Sequence, residues 1–307
     1  MSENKRIVVS YWSGNLPQVT FLHFLSFRRL NPEIDYVLYL DSDIGFEGLV
    51  ESSLLTWLQE LEISIKSVSL NSIMRESQIP SFSEWKGSYV YSLAGKISRR
   101  LIPILSPLLL RASKYKIVYS DLMGWVVGHN FPFSGYVKDR AYRSDLFRSL
   151  IFQYWPDCDI LYLDLDIVIT RPIDFESHQQ GAIAQWGTGK SGNSAYLLIP
   201  RNANSLRQGI LEKLRSGFSA LPWVLWTELA IREFDLHVYP SSEIDPAWSP
   251  ESVIHADTTL FFKSGEHAIR FIEETDRNCI GVHWHNQWGV EPENGSPYNL
   301  FLKRFQS

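Results

Sequence analysis

Asp164 and Asp166 stand one residue apart inside the stretch Ile160 to Pro172, ILYLDLDIVITRP. Apolar side chains run up to the pair and resume after it in Ile167, Val168 and Ile169. So dense a run of Ile, Leu, Val and Tyr, closed by Pro172, predicts a buried β-strand. Side chains alternate faces along a strand, so the two carboxylates are expected to point the same way, about 7 Å apart. Two buried carboxylates side by side repel and lose their water, which is tolerable only if something positive binds them. Hard oxygen ligands suit Mg²⁺ or Mn²⁺, with a phosphate completing the shell, so the pair points to a metal-bound diphosphate. D-x-D by itself is commonly a turn, a cap or surface charge. Asp41-Ser42-Asp43 also follows an apolar strand, but Ile44-Gly45-Phe46 breaks that strand, and this pair reads as a strand-end turn.

A second candidate lies just upstream. The segment from Tyr136 to Tyr154, YVKDRAYRSDLFRSLIFQY, has the apolar spacing of a helix. Asp145 and Arg148 stand three apart on its surface, as a plain intrahelical ion pair or as part of a site placed just before the D-L-D strand.

The elements that position these groups follow a simple order. Ile7 to Trp12 reads as a strand ending at Ser13-Gly14-Asn15, and Gln18 to Leu30 as a helix closing on Asn31-Pro32. Tyr36 to Leu40, Leu54 to Leu61 and Ile63 to Leu70 read as strand, helix and strand. This alternation opens a mostly parallel, twisted sheet with helices on its faces. Ligands of such sheets bind beyond the carboxyl ends of the strands. Tyr11 and Trp12 sit at such an end, either stacking on a nucleotide base or as core aromatics.

The chain has 307 residues, enough for one large α/β domain or two smaller ones. Hydrophobic residues make up 45% and charged ones 21%, so a substantial core can form. A net charge of −5 argues against general nucleic-acid binding. Two cysteines, Cys158 and Cys279, have no metal or redox spacing, which fits a reducing compartment. The start MSENKRIVVSYW lacks the apolar stretch of a signal peptide, and no run approaches the roughly 18 apolar residues of a membrane span. A cytoplasmic protein is expected.

With these pieces in place a family resemblance becomes specific. Ala141-Tyr142-Arg143-Ser144-Asp145-Leu146-Phe147-Arg148 followed by Tyr162-Leu163-Asp164-Leu165-Asp166 resembles the sugar-binding DXD region of one glycosyltransferase family. That family includes yeast-type initiating mannosyltransferases, bacterial capsular glycosyltransferases and, more distantly, the glucosyltransferase domains of clostridial toxins. Its signature is a helix with A-x-x-S-D-x-x-R and then a strand with Y-x-D-x-D. One departure is visible: the family's Gly-Gly between helix and strand is replaced here by Trp155-Pro156-Asp157-Cys158-Asp159.

The resemblance implies a GT-A-like α/β fold, a single domain over residues 1–307, and a nucleotide-sugar donor bound with Mn²⁺ or Mg²⁺. Asp145 would bind donor-sugar hydroxyls and Arg148 the sugar or diphosphate; Asp164 would contact ribose and sugar, and Asp166 the metal. Asn193, in NSAYLLIP, resembles the family's strand Asn that approaches the sugar, with a strand-edge turn as the alternative. Thr227 and Glu228 begin a segment where the family often has a Thr. Gly187 to Gly192, GTGKSG, reads as a flexible loop bordering the site. Near the end, VHWHNQW resembles a closing family segment, with Gln287 in place of a Ser. Its His283 and His285 would share one face if extended, as candidate metal ligands, and the Trp288 indole N–H can donate to a leaving phosphate.

The expected activity is metal-dependent, retaining hexosyl transfer from a UDP-sugar, ahead of a GDP-sugar, to a glycan or lipid-linked acceptor in surface polysaccharide synthesis. A phosphohydrolase using Asp164 and Asp166, and a carbohydrate-binding protein without turnover, are the alternatives. Residues 85–120 form an insertion of different character. They carry seven Lys and Arg residues, without an Asp or Glu, around LIPILSPLLL, whose prolines preclude one regular helix. Part of it, 96–116, either touches an anionic membrane's inner face or packs on the sheet as a helical hairpin.

Overall fold

The computed structural model describes residues 5–43, 52–79, 140–186, 191–215, 220, 225, 226, 229, 233–285 and 287–307. The insertion expected at 85–120, and Thr227 and Glu228, lie outside these residues. The chain opens with β1 (Arg6–Trp12), α1 (Phe21–Leu30, entered through a 3-10 turn), β2 (Asp35–Asp41), α2 (Ser52–Glu60), β3 (Ile63–Val68) and α3 (Leu70–Glu76). There follow α4 (Arg140–Leu150), β4 (Asp159–Leu163), β5 (Ile167–Ile169), β6 (Ala182–Trp186), β7 (Ser191–Ile199), α5 (Asn204–Arg215) and β8 (His237–Tyr239). A one-turn helix α6 (Ser241–Ile244), α7 (Glu266–Asn278), β9 (Gly281–His283) and α8 (Pro297–Gln306) complete the order.

Seven strands form one sheet in the order β3-β2-β1-β4-β7-β6-β8, and β5 pairs with β9 in a second, two-stranded sheet. β1, β2, β3 and β4 are mutually parallel, β7 runs antiparallel to β4 and β6, and β8 is parallel to β6. The sheet is mixed and mostly parallel, the expected α/β class.

The strand period of two sorts the core into two layers. Ile7, Val9, Tyr11, Val37, Tyr39, Ile160 and Tyr162 join Ile73 of α3 and Leu146 and Leu150 of α4 on one face. Val8, Tyr36, Leu38, Leu161 and Leu163 join Phe24 and Phe27 of α1 and Leu54 and Leu58 of α2 on the other. Helices therefore cover both faces. Each buried Leu, Ile, Val or Phe contributes about 1.5–3 kcal/mol of transfer free energy, and both faces of β1 and β2 are buried, as their near-continuous apolar runs require. A third cluster gathers Phe261, Phe271, Trp284, Tyr298 and Phe301 around β9, α7 and α8. Phe261 and Trp284 stack there with ring centroids 5.5 Å apart.

Helix ends carry local signals. Ser69 caps α3 by accepting from Ser72 N, and Ser296 caps α8 by accepting from Asn299 N, with Pro297 in the first turn. Among the described residues no helix is long and apolar enough to cross a membrane.

Candidate metal and donor site

The apolar run through Asp164 and Asp166 is two strands, which corrects the expectation of one. β4 ends at Leu163, and Asp164 N extends its ladder to β7 by donating to Ala195 O at 2.8 Å. The chain then turns, with Ile167 N donating back to Asp164 O at 3.3 Å, and β5 begins in the small sheet. The two carboxylates thus occupy the two ends of a turn that passes the chain from the large sheet to the small one. An apolar run does not say how many partner strands it will meet, so periodicity could not separate one strand from two. The turn is tied from behind, where Ser10 Oγ donates to Leu163 O at 2.5 Å and His23 Nδ1 donates to Ile167 O at 2.6 Å. Burial lowers the His23 pKa to about 4, against weaker opposing effects of the Ile167 bond and Asp166, so the ring is neutral at pH 7.

On the large-sheet side the turn meets Arg148. Its guanidinium lies 2.9 Å from one Asp164 oxygen and donates to the other at 3.1 Å. It also lies 3.3 Å from Asp145 and donates to Ser144 Oγ and Ser194 Oγ at 3.0 and 3.2 Å. Tyr162 lies under the guanidinium, 4.6 Å from ring centroid to Cζ, and its hydroxyl donates to Asp164 at 2.8 Å. Asp145 and Arg148 therefore form more than an intrahelical pair: α4 delivers a buried cation to the first carboxylate. Burial raises the Asp164 pKa, with Arg148 opposing and Asp166 adding to the rise.

On the small-sheet side Asp166 meets His283. β5 and β9 pair Ile167 with His283, Trp284 N donates to Asp166 O at 2.9 Å, and His283 Nε2 lies 3.2 Å from Asp166 Oδ1. Burial alone would lower the His283 pKa, but the Asp166 and Asp245 carboxylates outweigh it and hold the ring well above its usual value. One oxygen each of Asp164 and Asp166 and one ring nitrogen of His283 lie within 4.8 Å of one another. Two carboxylates and an imidazole at that spacing fit Mn²⁺ or Mg²⁺ by donor chemistry and by the excess of buried negative charge.

His285 packs against His283 with ring centroids 4.0 Å apart and planes tilted by 33°, and both rings turn toward Asp245, which is fully buried. Trp284 packs into the third core cluster.

The remaining expected residues are distributed around the site. Tyr11 is buried, stacked on Phe147 at 4.6 Å, with its hydroxyl donating to Asp41. Its ring therefore serves the core, and the alternative of stacking on a base does not apply to it. Trp12 is part-exposed, packed edge-on against Trp288 at 4.9 Å, with Nε1 donating to Asn15 O. Asn193 is buried in β7, its Oδ1 accepting from Ala195 N and its Nδ2 lacking a partner among the described residues. Gly192, expected in a loop, belongs to β7, where an added Cβ would come within 3.0 Å of Ile183 and Trp226; residues 187–190 lie outside the described ones. Asp41 and Asp43 bind the Arg143 guanidinium, consistent with a strand-end role.

Sequence reasoning missed Ser194 and Asp245. Ser194 reaches Arg148 because β7 bulges: adjacent Ile183 and Ala184 pair with Leu197 and Asn193, leaving residues 194–196 across one step. Asp245 is 38 residues from His283 with no spacing signal, and only the small sheet brings them together.

No protein-family model matches the chain, and no curated protein does. Several solved glycosyltransferase structures are similar to it. The PaToxG glycosyltransferase is 15% identical over 74% of this chain and 69% of that one, with a TM-score of 0.42. The apo bifunctional glycosyltransferase WbbM is 9% identical over 99% of this chain and 50% of that one, with a TM-score of 0.49. The galactosyltransferase LgtC, solved with donor and acceptor sugar analogs, is 10% identical over 98% and 95%, with a TM-score of 0.44.

Proposed function

We propose that the protein is a metal-dependent glycosyltransferase that takes a sugar from a nucleotide-sugar donor. The observation that carries the reading is the convergence of Asp164, Asp166 and His283 within 4.8 Å at the carboxyl end of β4, beside the buried Arg148. Asp164, Asp166 and His283 would hold Mn²⁺ or Mg²⁺. When bound, the cation supplies Lewis-acid neutralisation of charge developing on a departing nucleoside diphosphate.

The chain's own groups supply the rest. Arg148 places a fixed positive charge at Asp164 without reorganisation at the moment of reaction, the kind of preorganised electrostatics that lowers a barrier through charge. Its bonds to Ser144, Ser194 and Asp145 lock the guanidinium against rotation. Asp145, carried on the same helix face, is assigned to donor-sugar hydroxyls. The orphan amide N–H₂ of Asn193 is a donor still wanting an acceptor, which a sugar hydroxyl or phosphate can satisfy. Trp12 and Trp288 form the aromatic border on the β1 side. The donor inferred is a UDP-sugar ahead of a GDP-sugar, transferred with retention to a glycan or lipid-linked acceptor. Residues 96–116 are assigned to peripheral membrane contact.

A thermal-shift panel of UDP- and GDP-sugars with and without Mn²⁺, run beside Asp166→Ala, tests the reading. A donor at 100 times its Kd stabilises by about 2.7 kcal/mol. That corresponds to a rise of roughly 5 °C or more in Tm for a protein near this size. A Mn²⁺-dependent rise with one nucleotide class, absent in the variant, is expected. No rise with any donor would sink the assignment.

A further inference from the structure

The group least explained by the donor site is Asp245. Its side chain is fully buried between α6 and the 3-10 turn Pro246–Trp248, and its backbone is fixed at both ends. Asp245 N donates to Ser241 O at 2.7 Å, and Trp248 N donates to Asp245 O at 3.0 Å. A carboxylate placed so rigidly in the interior requires partners. It has two, both imidazoles. Oδ1 lies 2.6 Å from His285 Nε2, and Oδ2 faces His283 Nδ1 at 3.6 Å. Asp245 Oδ2 and His283 Nδ1 have no hydrogen-bond partner among the described residues, so each is the group the other lacks.

The backbone of His285 points the same way. It holds φ +51°, a left-handed conformation uncommon for a residue with a side chain. In that conformation the ring bonds Asp245. That bond is direct, with no room for an ion between its two atoms. Asp245, His283 and His285 are close enough to be considered a second cation site. The direct Asp245–His285 bond instead makes the trio an orienting chain.

We propose that Asp245 is a positioning residue. One oxygen takes the Nδ1–H of His283 and aims Nε2 at Asp166, while His285 holds the other oxygen in place. A metal-binding imidazole gains orientation and basicity when its second nitrogen donates to a carboxylate. His285 then stands two steps behind the ion instead of on it. The inference rests on the metal site proposed above and deepens it.

The test is Mn²⁺ binding without nucleotide or sugar, read by the electron paramagnetic resonance signal of free Mn²⁺. It uses wild type, Asp245→Ala, His283→Ala and the double variant, each checked for folding by far-UV circular dichroism. Asp245→Ala and His283→Ala are each expected to weaken binding about 10- to 100-fold. The double variant is expected to bind within about threefold of His283→Ala, because residues acting through one contact are not additive. A merely structural role would instead multiply the two losses. The hydrogen-bonded Nδ1 proton of His283 is also expected as a slowly exchanging NMR signal in wild type and absent in Asp245→Ala. Should that variant fail to fold, Asp245→Asn decides: one amide oxygen can serve only one imidazole, so a smaller but clear loss is expected. Unchanged affinity in a folded Asp245 variant, or multiplied losses, overturns the positioning role alone. Failure of the wild type to bind Mn²⁺ overturns the ion site and this role together.

Discussion

Replacing Arg148 with Met removes the charge at the centre of the site while keeping an unbranched stem over the Tyr162 ring. The guanidinium is almost wholly buried and pairs with Asp164 at 2.9 Å and Asp145 at 3.3 Å, whose side chains are 21% and 11% exposed. Exposed ion pairs are worth about 0–1 kcal/mol, whereas removing one partner of a buried pair costs about 3–5 kcal/mol, because the other charge stays buried and uncompensated. Asp164 keeps some water and the Tyr162 hydroxyl, so a loss of about 3 kcal/mol is expected, at the lower end of that range. Urea unfolding followed by tryptophan fluorescence and by circular dichroism measures it, and coincident transitions check that one process is being read. Adding Asp164→Asn to Arg148→Met is expected to restore at least about 1 kcal/mol, since the stranded carboxylate is then gone. A loss below about 1 kcal/mol for Arg148→Met, the level of a surface pair, would refute the account of Arg148 as a buried, paired cation. So would strictly additive losses in the double variant.

Three further outcomes are expected. His23 has its pKa lowered to about 4 in the fold, so the folded state favours the neutral ring. Its stabilising effect is complete above the unfolded value near 6.5 and lost as pH falls toward 4, costing wild type about 3 kcal/mol relative to His23→Gln over that window; parallel pH profiles of the two proteins in urea would refute it. Gly281→Ala places a methyl 3.1 Å from Ile167 Cγ2 and 3.3 Å from Val168 O, spreading the β5–β9 pair that brings His283 to Asp166. It should cost about 1–3 kcal/mol and weaken Mn²⁺ binding, read by the same resonance signal. Phe271→Ala empties the centre of the third core cluster and should cost about 3–5 kcal/mol by urea titration, with Mn²⁺ affinity kept in the folded protein.

Much of this molecule was legible in its residues alone. The short, dense apolar runs Ile7 to Trp12 and Tyr36 to Leu40 determined the strands, because strands covered by helices on both faces read as near-continuous apolar runs. The opening order of strand, helix, strand, helix, strand determined the class of sheet. The A-x-x-S-D-x-x-R helix ahead of D-L-D implied, through its family resemblance, that Asp145, Arg148 and Asp164 share one site, while spacing alone left Asp145 and Arg148 readable as a plain intrahelical pair. Tertiary structure decided the rest. Whether Ile160 to Ile169 made one strand or two depended on β7 and β9, which are distant partners. Tyr11 at a strand end looked equally suited to a base or to the core, and Phe147 on α4 decided for the core. Asp245 carries no local sign of its role: a lone Asp before Pro246 becomes significant only when the β5–β9 pair, which joins Ile167 to His283, brings His283 against it. Local pattern fixes which face a side chain takes, because that is set by two or four neighbours. Which charge it meets there is set by packing of the whole chain.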